Sequence, residues 1–348
     1  MNAARSAARS LQAVLDSVPN VVDYLFQNPK GALRSIFHSF PPAALPPEFT
    51  NWRDEQRARR ETVALLDQSF HMTNLYLRGP DAFRLLERLA INSFRNFVPG
   101  RAKNFAVCNP EGYIIGDNIL YYLDEESFVL VGGEVVLNWV EYHAQTGEYQ
   151  VTVERDPMWS LNRTGRRTVY RFQVEGPNAF LLLEKLNGGP LPEIKFFHTG
   201  WLTIAGRRVR ALRHSMAGVP GLELSGPWED REHVRQAIIE AGQEFGLRLV
   251  GSFAYLSSGG LESGWIPRPL PAIYTSPALR PYREWLPATG PEGSGALGGS
   301  FYSPNIEDYY LTPWELGMGH ILKFDHDFVG WEALEEKAKG PHRKKVTL

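Results

Sequence analysis

Three strand-like runs joined by two tight turns constrain this chain more than any other feature. Phe105–Val107, Tyr113–Leu123 and Phe128–Val131 are rich in aromatic and β-branched residues, and Asn109-Pro110-Glu111-Gly112 and Asp124-Glu125-Glu126 separate them. Neither link can hold a crossover helix, so successive strands must return antiparallel. The rest of the chain repeats the theme without a fixed period. Strands are predicted at Val63–Leu66, His71–Leu77, Val151–Arg155, Val169–Val174, Phe196–Ile204, Arg207–Leu212 and Gly221–Ser225. Helices are predicted at Arg53–Thr62, Ala82–Ile91, Val135–Gln145, Asn178–Leu186 and from about Glu229 to Phe245. Strand-rich segments with interspersed helices give an α+β fold with mainly antiparallel sheets, not a βαβ array.

Two lobes, about 51–165 and 166–270, are expected, with a proline-rich closing segment over 271–340. Residues 1–50 read as an N-terminal extension. Leu11, Val14, Leu15 and Val18 fall on one helical face, so MNAARSAARSLQAVL is read as a docked helix continuing to about Phe26, although its composition is that of a transit peptide. A stiff Pro41–Pro47 run follows, with His38 and Phe40 beside it as candidate pocket walls.

At 348 residues, 43% apolar and 22% charged, the chain is that of a globular protein with a large core. A net charge of −2 without a basic stripe leaves no footprint for nucleic acid. No apolar run reaches the ~18–20 residues of a membrane span. Cys108 stands alone, which excludes internal disulfides and a cysteine-based zinc cage and suits the cytoplasm.

Chemistry concentrates in Gly251–Pro271, read from composition as an aromatic-rich loop. Tyr255, Glu262 and Trp265 fall within eleven residues. An indole face, a carboxylate and a phenol are what a flat, N–H-bearing ring ligand needs, although composition alone favours Leu261 and Trp265 as core and Glu262 as a helix cap. Elsewhere the motifs are weak. Gly293-Ser-Gly295-Ala-Leu-Gly298 has dinucleotide-loop spacing but no preceding strand. The histidines show no ligand-pair spacing, so no metal is expected. Asp117 alone reads as a turn or strand-end residue.

Several short segments, in order, resemble the folate-binding aminomethyltransferase family, which includes the T-protein of glycine cleavage. They are Asp67-Gln-Ser-Phe-His71-Met72, Arg78-Gly79-Pro80-Asp81-Ala82, Glu111-Gly112-Tyr-Ile-Ile-Gly116-Asp117 and Gln173-Val-Glu-Gly176-Pro177. Gly221-Leu-Glu223-Leu, Leu261-Glu262-Ser-Gly264 and Pro313-Trp-Glu315-Leu-Gly317-Met-Gly319 continue the order. Longer stretches, PEFTNWR (47–53), NWVEYHAQTG (138–147), LRHSMAGVPGLELSGP (212–227) and LESGWIPRPLPAIYT (261–275), are similar to one branch. That branch is the tetrahydrofolate-dependent O-demethylases of vanillate/3-O-methylgallate and syringate type.

The resemblance implies the T-protein folate-binding fold, with two interleaved lobes, and transfer of an aryl ether methyl to N5 of tetrahydrofolate. It assigns Tyr255 as donor to the departing phenol oxygen and Glu223 as the carboxylate that holds the pterin. Trp265 becomes a wall along the folate, and Asp117 a neighbour of its reacting nitrogens. Glu262 becomes a structural member of its turn. On the substrate side it assigns His71, with His38 and Phe40 at positions where relatives carry tyrosines. Gly133 stands where relatives carry an arginine that grips the substrate carboxylate. Its loss, followed by the acid Glu134, implies a neutral methoxyphenol, or an acid held by another cation. The partner expected is a small methoxy-aromatic. The family's C-terminal β-barrel is expected to be missing from a chain ending at Leu348. An aminomethyltransferase acting on an amine, or a non-catalytic folate-binding relative, are the alternatives.

Overall fold

The computed structural model describes residues 9–26, 45–162, 164–215, 218–266 and 268–346. His38 and Phe40 lie outside them. Where the sequence predicts a single helix as far as about Phe26, the chain forms two, α1 (Leu11–Leu15) and α2 (Val21–Phe26), and the short further helix expected before Pro41 lies outside the described residues. Pro19 stands between them, and its ring disfavours helical backbone at the preceding residue. The apolar face still docks, with Leu11, Val22 and Leu25 fully buried.

Helix α3 (Trp52–Glu61) begins at Asn51, whose side chain accepts the Arg53 N–H. Acids in its first turn and arginines in its last match the helix dipole. It is followed by β1 (Val63–Asp67), β2 (Thr73–Arg78), α4 (Ala82–Leu89), β3 (Ala102–Cys108), β4 (Ile114–Asp124), β5 (Ser127–Gly132), α5 (Glu134–Thr146) and β6 (Thr152–Asp156). The second half contains β7 (Val169–Glu175), α6 (Ala179–Asn187), β8 (Thr199–Ile204), β9 (Arg207–Leu212) and β10 (Gly221–Pro227). It continues through α7 (Arg231–Gly242), β11 (Leu247–Val250), α8 (Ser252–Ser263), α9 (Arg280–Trp285) and α10 (Trp331–Lys337).

Two sheets result. One has five strands in the order β3-β4-β5-β2-β6, all antiparallel. The other has six in the order β11-β1-β7-β10-β9-β8, antiparallel except where β1 meets β11. The α+β architecture expected from the turns is therefore observed. Strand β1 departs from the simple division into consecutive lobes. It precedes β2 in the chain but lies inside the six-stranded sheet, and residues 68–72 cross to the other sheet. All five β1 residues are buried, as suits a strand covered on both faces.

Phe105, Phe128, Leu130 and Trp139 belong to the core shared by the five-stranded sheet with α4 and α5. Phe172, Val174, Leu183 and Ile238 belong to the core of the six-stranded sheet with α6 and α7. Because strand side chains alternate, the other residues of each sheet face away from these cores. Tyr121, Val129 and Val131 of the first sheet there meet Leu212 of the second. No helix among the described residues is long and apolar enough to cross a membrane.

Candidate active site

Strand β7 reads Val-Tyr-Arg-Phe-Gln-Val-Glu, aromatic or aliphatic residues alternating with polar ones. Tyr170, Phe172 and Val174 enter the core, so Arg171, Gln173 and Glu175 all point to the inter-sheet face. Glu223 on β10 is the register partner of Gln173. It is buried and bound to the Arg171 guanidinium, and the Tyr121 hydroxyl, arriving from the other sheet, donates to the same oxygen. Arg171 also donates to Tyr121 Oη at 2.9 Å and to Asn74 Oδ1 at 3.3 Å. Burial would raise the Glu223 pKa, but Arg171, His214 and the Tyr121 hydrogen bond together pull it below its ordinary value.

Gln173 donates to the His214 carbonyl at 2.9 Å, while its own Oε1 is buried without a hydrogen-bond partner among the described residues. The His214 Nδ1 is left in the same state. Unpaired buried polar atoms are uncommon because each forfeits its hydration. Here they cluster beside a carboxylate.

Across from this floor, Tyr255 of α8 lies with its hydroxyl 2.8 Å from His71 Nε2, the two rings edge-to-face at 4.8 Å. His71 belongs to the crossing segment, which is pinned to β7 by Gln68 N to Arg171 O at 2.9 Å and Arg171 N to Ser69 Oγ at 3.0 Å. Burial, reinforced by Arg268, Arg167 and Arg171, lowers the His71 pKa to about 3, so the ring is neutral near pH 7. Burial, then the Glu223 charge, pushes the Tyr255 phenol well above its ordinary value, against a hydrogen bond from Gln68. The pair is uncharged and keeps its proton available for donation.

The stretch read as a loop is half helix. Gly251 is its N-cap, donating to Glu55 Oε2 at 2.8 Å, and a Cβ there would stand 2.3 Å from the Pro47 carbonyl. Gly264 ends it in a left-handed conformation (φ +64°) that a side chain would strain. Two internal glycines argue against a helix by propensity, and packing on α3 overrides them. Gln56 and Arg60 of α3 bind Glu262 at 2.9 and 2.6 Å, so Glu262 is a clamp between helices.

Asp117 lies within β4, not at a turn, and is half-buried. Burial raises its pKa to about 6, and a hydrogen bond from Trp265 opposes the shift. Trp265 itself is 38% exposed, an open ring face rather than a core residue. Gly116 precedes Asp117, and a Cβ there would meet Val136 at 2.9 Å, which explains the lack of a second acid.

Gly133 caps α5 with φ −75°, and a Cβ there would meet nothing within 4 Å. Thr73 pairs with Gly132, so Gly133 lies beside the His71-bearing segment. The repulsion anticipated from Glu134 is not realised. That carboxylate is buried against Arg155 and the Thr73 hydroxyl, which neutralise it.

His71, Tyr255, Glu223, Asp117 and Trp265 thus come from separate segments to the inter-sheet face and α8. Arg171, Tyr121, Gln173 and Gln68 complete the arrangement without having been assigned from sequence. The available signal was the polar half of β7, since polar residues alternating with aromatics in a buried strand demand partners.

The model of the GCVT N-terminal domain family matches residues 31–266. Syringate O-demethylase of Sphingobium sp. (strain NBRC 103272 / SYK-6) is 47% identical over 98% of this chain and 72% of its own length. Sesamin methylene transferase of Sinomonas sp. (strain No.22) is 31% identical over 87% of this chain and 66% of its own. The glycine cleavage system aminomethyltransferase T from Bartonella henselae shares the fold, with a TM-score of 0.59 and 20% identity over 85% of this chain and 69% of that structure.

Proposed function

The chain belongs to the GCVT N-terminal domain family, and from that premise we propose that it is a tetrahydrofolate-dependent O-demethylase of methoxy-aromatics. The observation that carries the reading is a neutral Tyr255–His71 pair facing an ionised acceptor floor at Glu223 and Gln173. The aminopyrimidinone end of a folate carries an amino group and a ring N–H, which need acceptors. Glu223 and the unpartnered Gln173 Oε1 fit them, and the Trp265 face suits the flat ring system. Bound there, tetrahydrofolate supplies the nucleophilic nitrogen N5 that takes the methyl group.

Tyr255 gives its proton to the ether oxygen as the methyl–oxygen bond breaks, with Gln68 donating to the tyrosine oxygen and steadying the charge left there. Asp117, mostly ionised at pH 7, takes the proton displaced from N5. One proton leaves the nitrogen, one reaches the phenol, and solvent resets both side chains, so no oxidant is needed. His71 aligns Tyr255 and flanks the substrate ring. Positioning of nitrogen, methyl and oxygen in line contributes the rest. A cytoplasmic setting belongs to this reading and draws support from the lone, buried Cys108.

Gly133 supplies no cation of its own at the substrate end, which favours a neutral methoxyphenol, or an acid held by another cation such as Arg268, whose charge reaches His71. A panel of methoxy-aromatics incubated with tetrahydrofolate and scored for 5-methyltetrahydrofolate tests the function. Formation of 5,10-methylenetetrahydrofolate from an amine, with no methoxy-aromatic turned over, would establish the aminomethyltransferase alternative instead.

A further inference from the structure

The Arg59 side chain is fully buried on α3. Its Nε donates to Glu175 Oε1, but Nη1 and Nη2 have no hydrogen-bond partner among the described residues. A buried guanidinium with its terminal fork unused forfeits the hydration of both groups. Glu175 lies two residues from Gln173 on the same face of β7, where Gln173 neighbours Glu223. An idle donor fork from α3 therefore sits on Glu175 and, one step along the same β7 face, an idle acceptor stands beside a carboxylate. Neither idle group satisfies the other. A ligand edge that places a carbonyl next to N–H groups satisfies both.

The helix that carries the fork is tied to α8: Glu55 binds the Gly251 N–H at 2.8 Å, and Gln56 and Arg60 bind Glu262. Glu175 Oε2 is itself held by the Ser215 hydroxyl at 3.2 Å. The Arg59 charge also bears on the Tyr255 phenol.

We infer that Arg59 recognises the ring carbonyl of the pterin, its Nη groups donating to that oxygen while Gln173 and Glu223 accept from the adjacent N–H and amino groups. The inference rests on the folate reading above and adds a residue that selects one ring chemistry. A 4-oxo ring presents an acceptor to the fork. A 4-amino ring presents a donor, and donor meets donor.

Binding of tetrahydrofolate and of its 4-amino analogue is measured by tryptophan fluorescence on the full chain and on an Arg59→Met/Glu175→Gln double variant. Removing both buried charges together avoids stranding Glu175. Tetrahydrofolate affinity is expected to fall about tenfold or more in the variant, with the 4-amino analogue changed by less than about threefold. Equal losses for both ligands, or unchanged tetrahydrofolate affinity, would overturn the assignment and leave Arg59 a structural residue. Failure of the wild-type chain to bind either ligand would instead overturn the folate reading itself. Thermal unfolding checks the fold. If the double variant does not fold, Arg59→Lys keeps the charge, removes the fork and is expected to give the same split.

Discussion

The two sides of the proposed site handle charge in opposite ways. On the strand side, Glu223 is ionised and matched by Arg171, with Tyr121 donating to it. On the helix side, Tyr255 is buried and His71 half-buried, and neither carries a charge. Fixed charge suits a ligand that is only held, because its hydrogen bonds are the same before and after reaction. A neutral donor suits the place where charge appears during reaction, because it has not already been spent on a counter-ion.

The largest expected effect breaks the neutral wall. Tyr255→Phe should lower kcat by about 10²–10⁴-fold while tetrahydrofolate affinity, read by fluorescence, stays within about threefold. Methyl transfer surviving intact would remove Tyr255 as donor. Breaking the charged wall should act on folding and cofactor binding together. Glu223→Ala leaves Arg171 buried without its anion and is expected to cost about 3–5 kcal/mol in urea unfolding, with weakened tetrahydrofolate binding. A stability change under 1 kcal/mol, order-of-magnitude, would mean the pair is solvated.

Asp117 tests the boundary between the walls. With a pKa near 6 it is ionised above that pH and protonated below, so kcat should fall about tenfold from pH 8 to pH 5. Asp117→Asn should abolish that limb, and persistence of the limb would assign it to another group. Gly133→Arg sharpens the comparison by adding a cation on the neutral side. The site has ordinary φ and open space, so kcat/KM for methoxybenzoates over methoxyphenols should rise about tenfold. No change in that ratio would show that the ring's acid end lies elsewhere.

The smallest effect comes from a buried carboxylate outside the proposed site. Glu292 has Asn138 at 2.8 Å but, among the described residues, no guanidinium bonded to it, and burial raises its pKa to about 7. Its folded pKa exceeds the ordinary 4.5, so the folded state binds the extra proton. The associated stability is complete below pH 4.5 and is lost as pH rises through about 7. Between pH 6 and 8 the loss should be about 1 kcal/mol, and Glu292→Gln should flatten it. A wild-type unfolding midpoint that does not fall over that range would place Glu292 among the paired carboxylates, with Glu223.

Local chemistry made the antiparallel ladders legible, because hairpin turns are written in consecutive residues. Resemblance is what singled out Tyr255, Glu223, Trp265, Asp117 and His71 as candidates. The groups that tune them were not. Glu223 meets Tyr121 across 102 residues and Arg171 across 52, and such pairings exist only once the sheets face each other. Helix α8 was hidden for a related reason, since its internal glycines disguise an element that α3 stabilises from outside. The split N-terminal helix was readable at Pro19 and was outweighed by the apolar spacing.

The crossing between β1 and β2 has a mechanical consequence. Five residues, 68–72, tie β1, held between β7 and β11 in one sheet, to β2 in the other, so the sheets cannot part far without straining that link or pulling β1 from its neighbours. The proposed ligand site then lies at an internal joint of one cooperative unit. Ligand occupancy should therefore register as a rise in a single melting transition, growing with the logarithm of ligand concentration, with no separate event for either sheet.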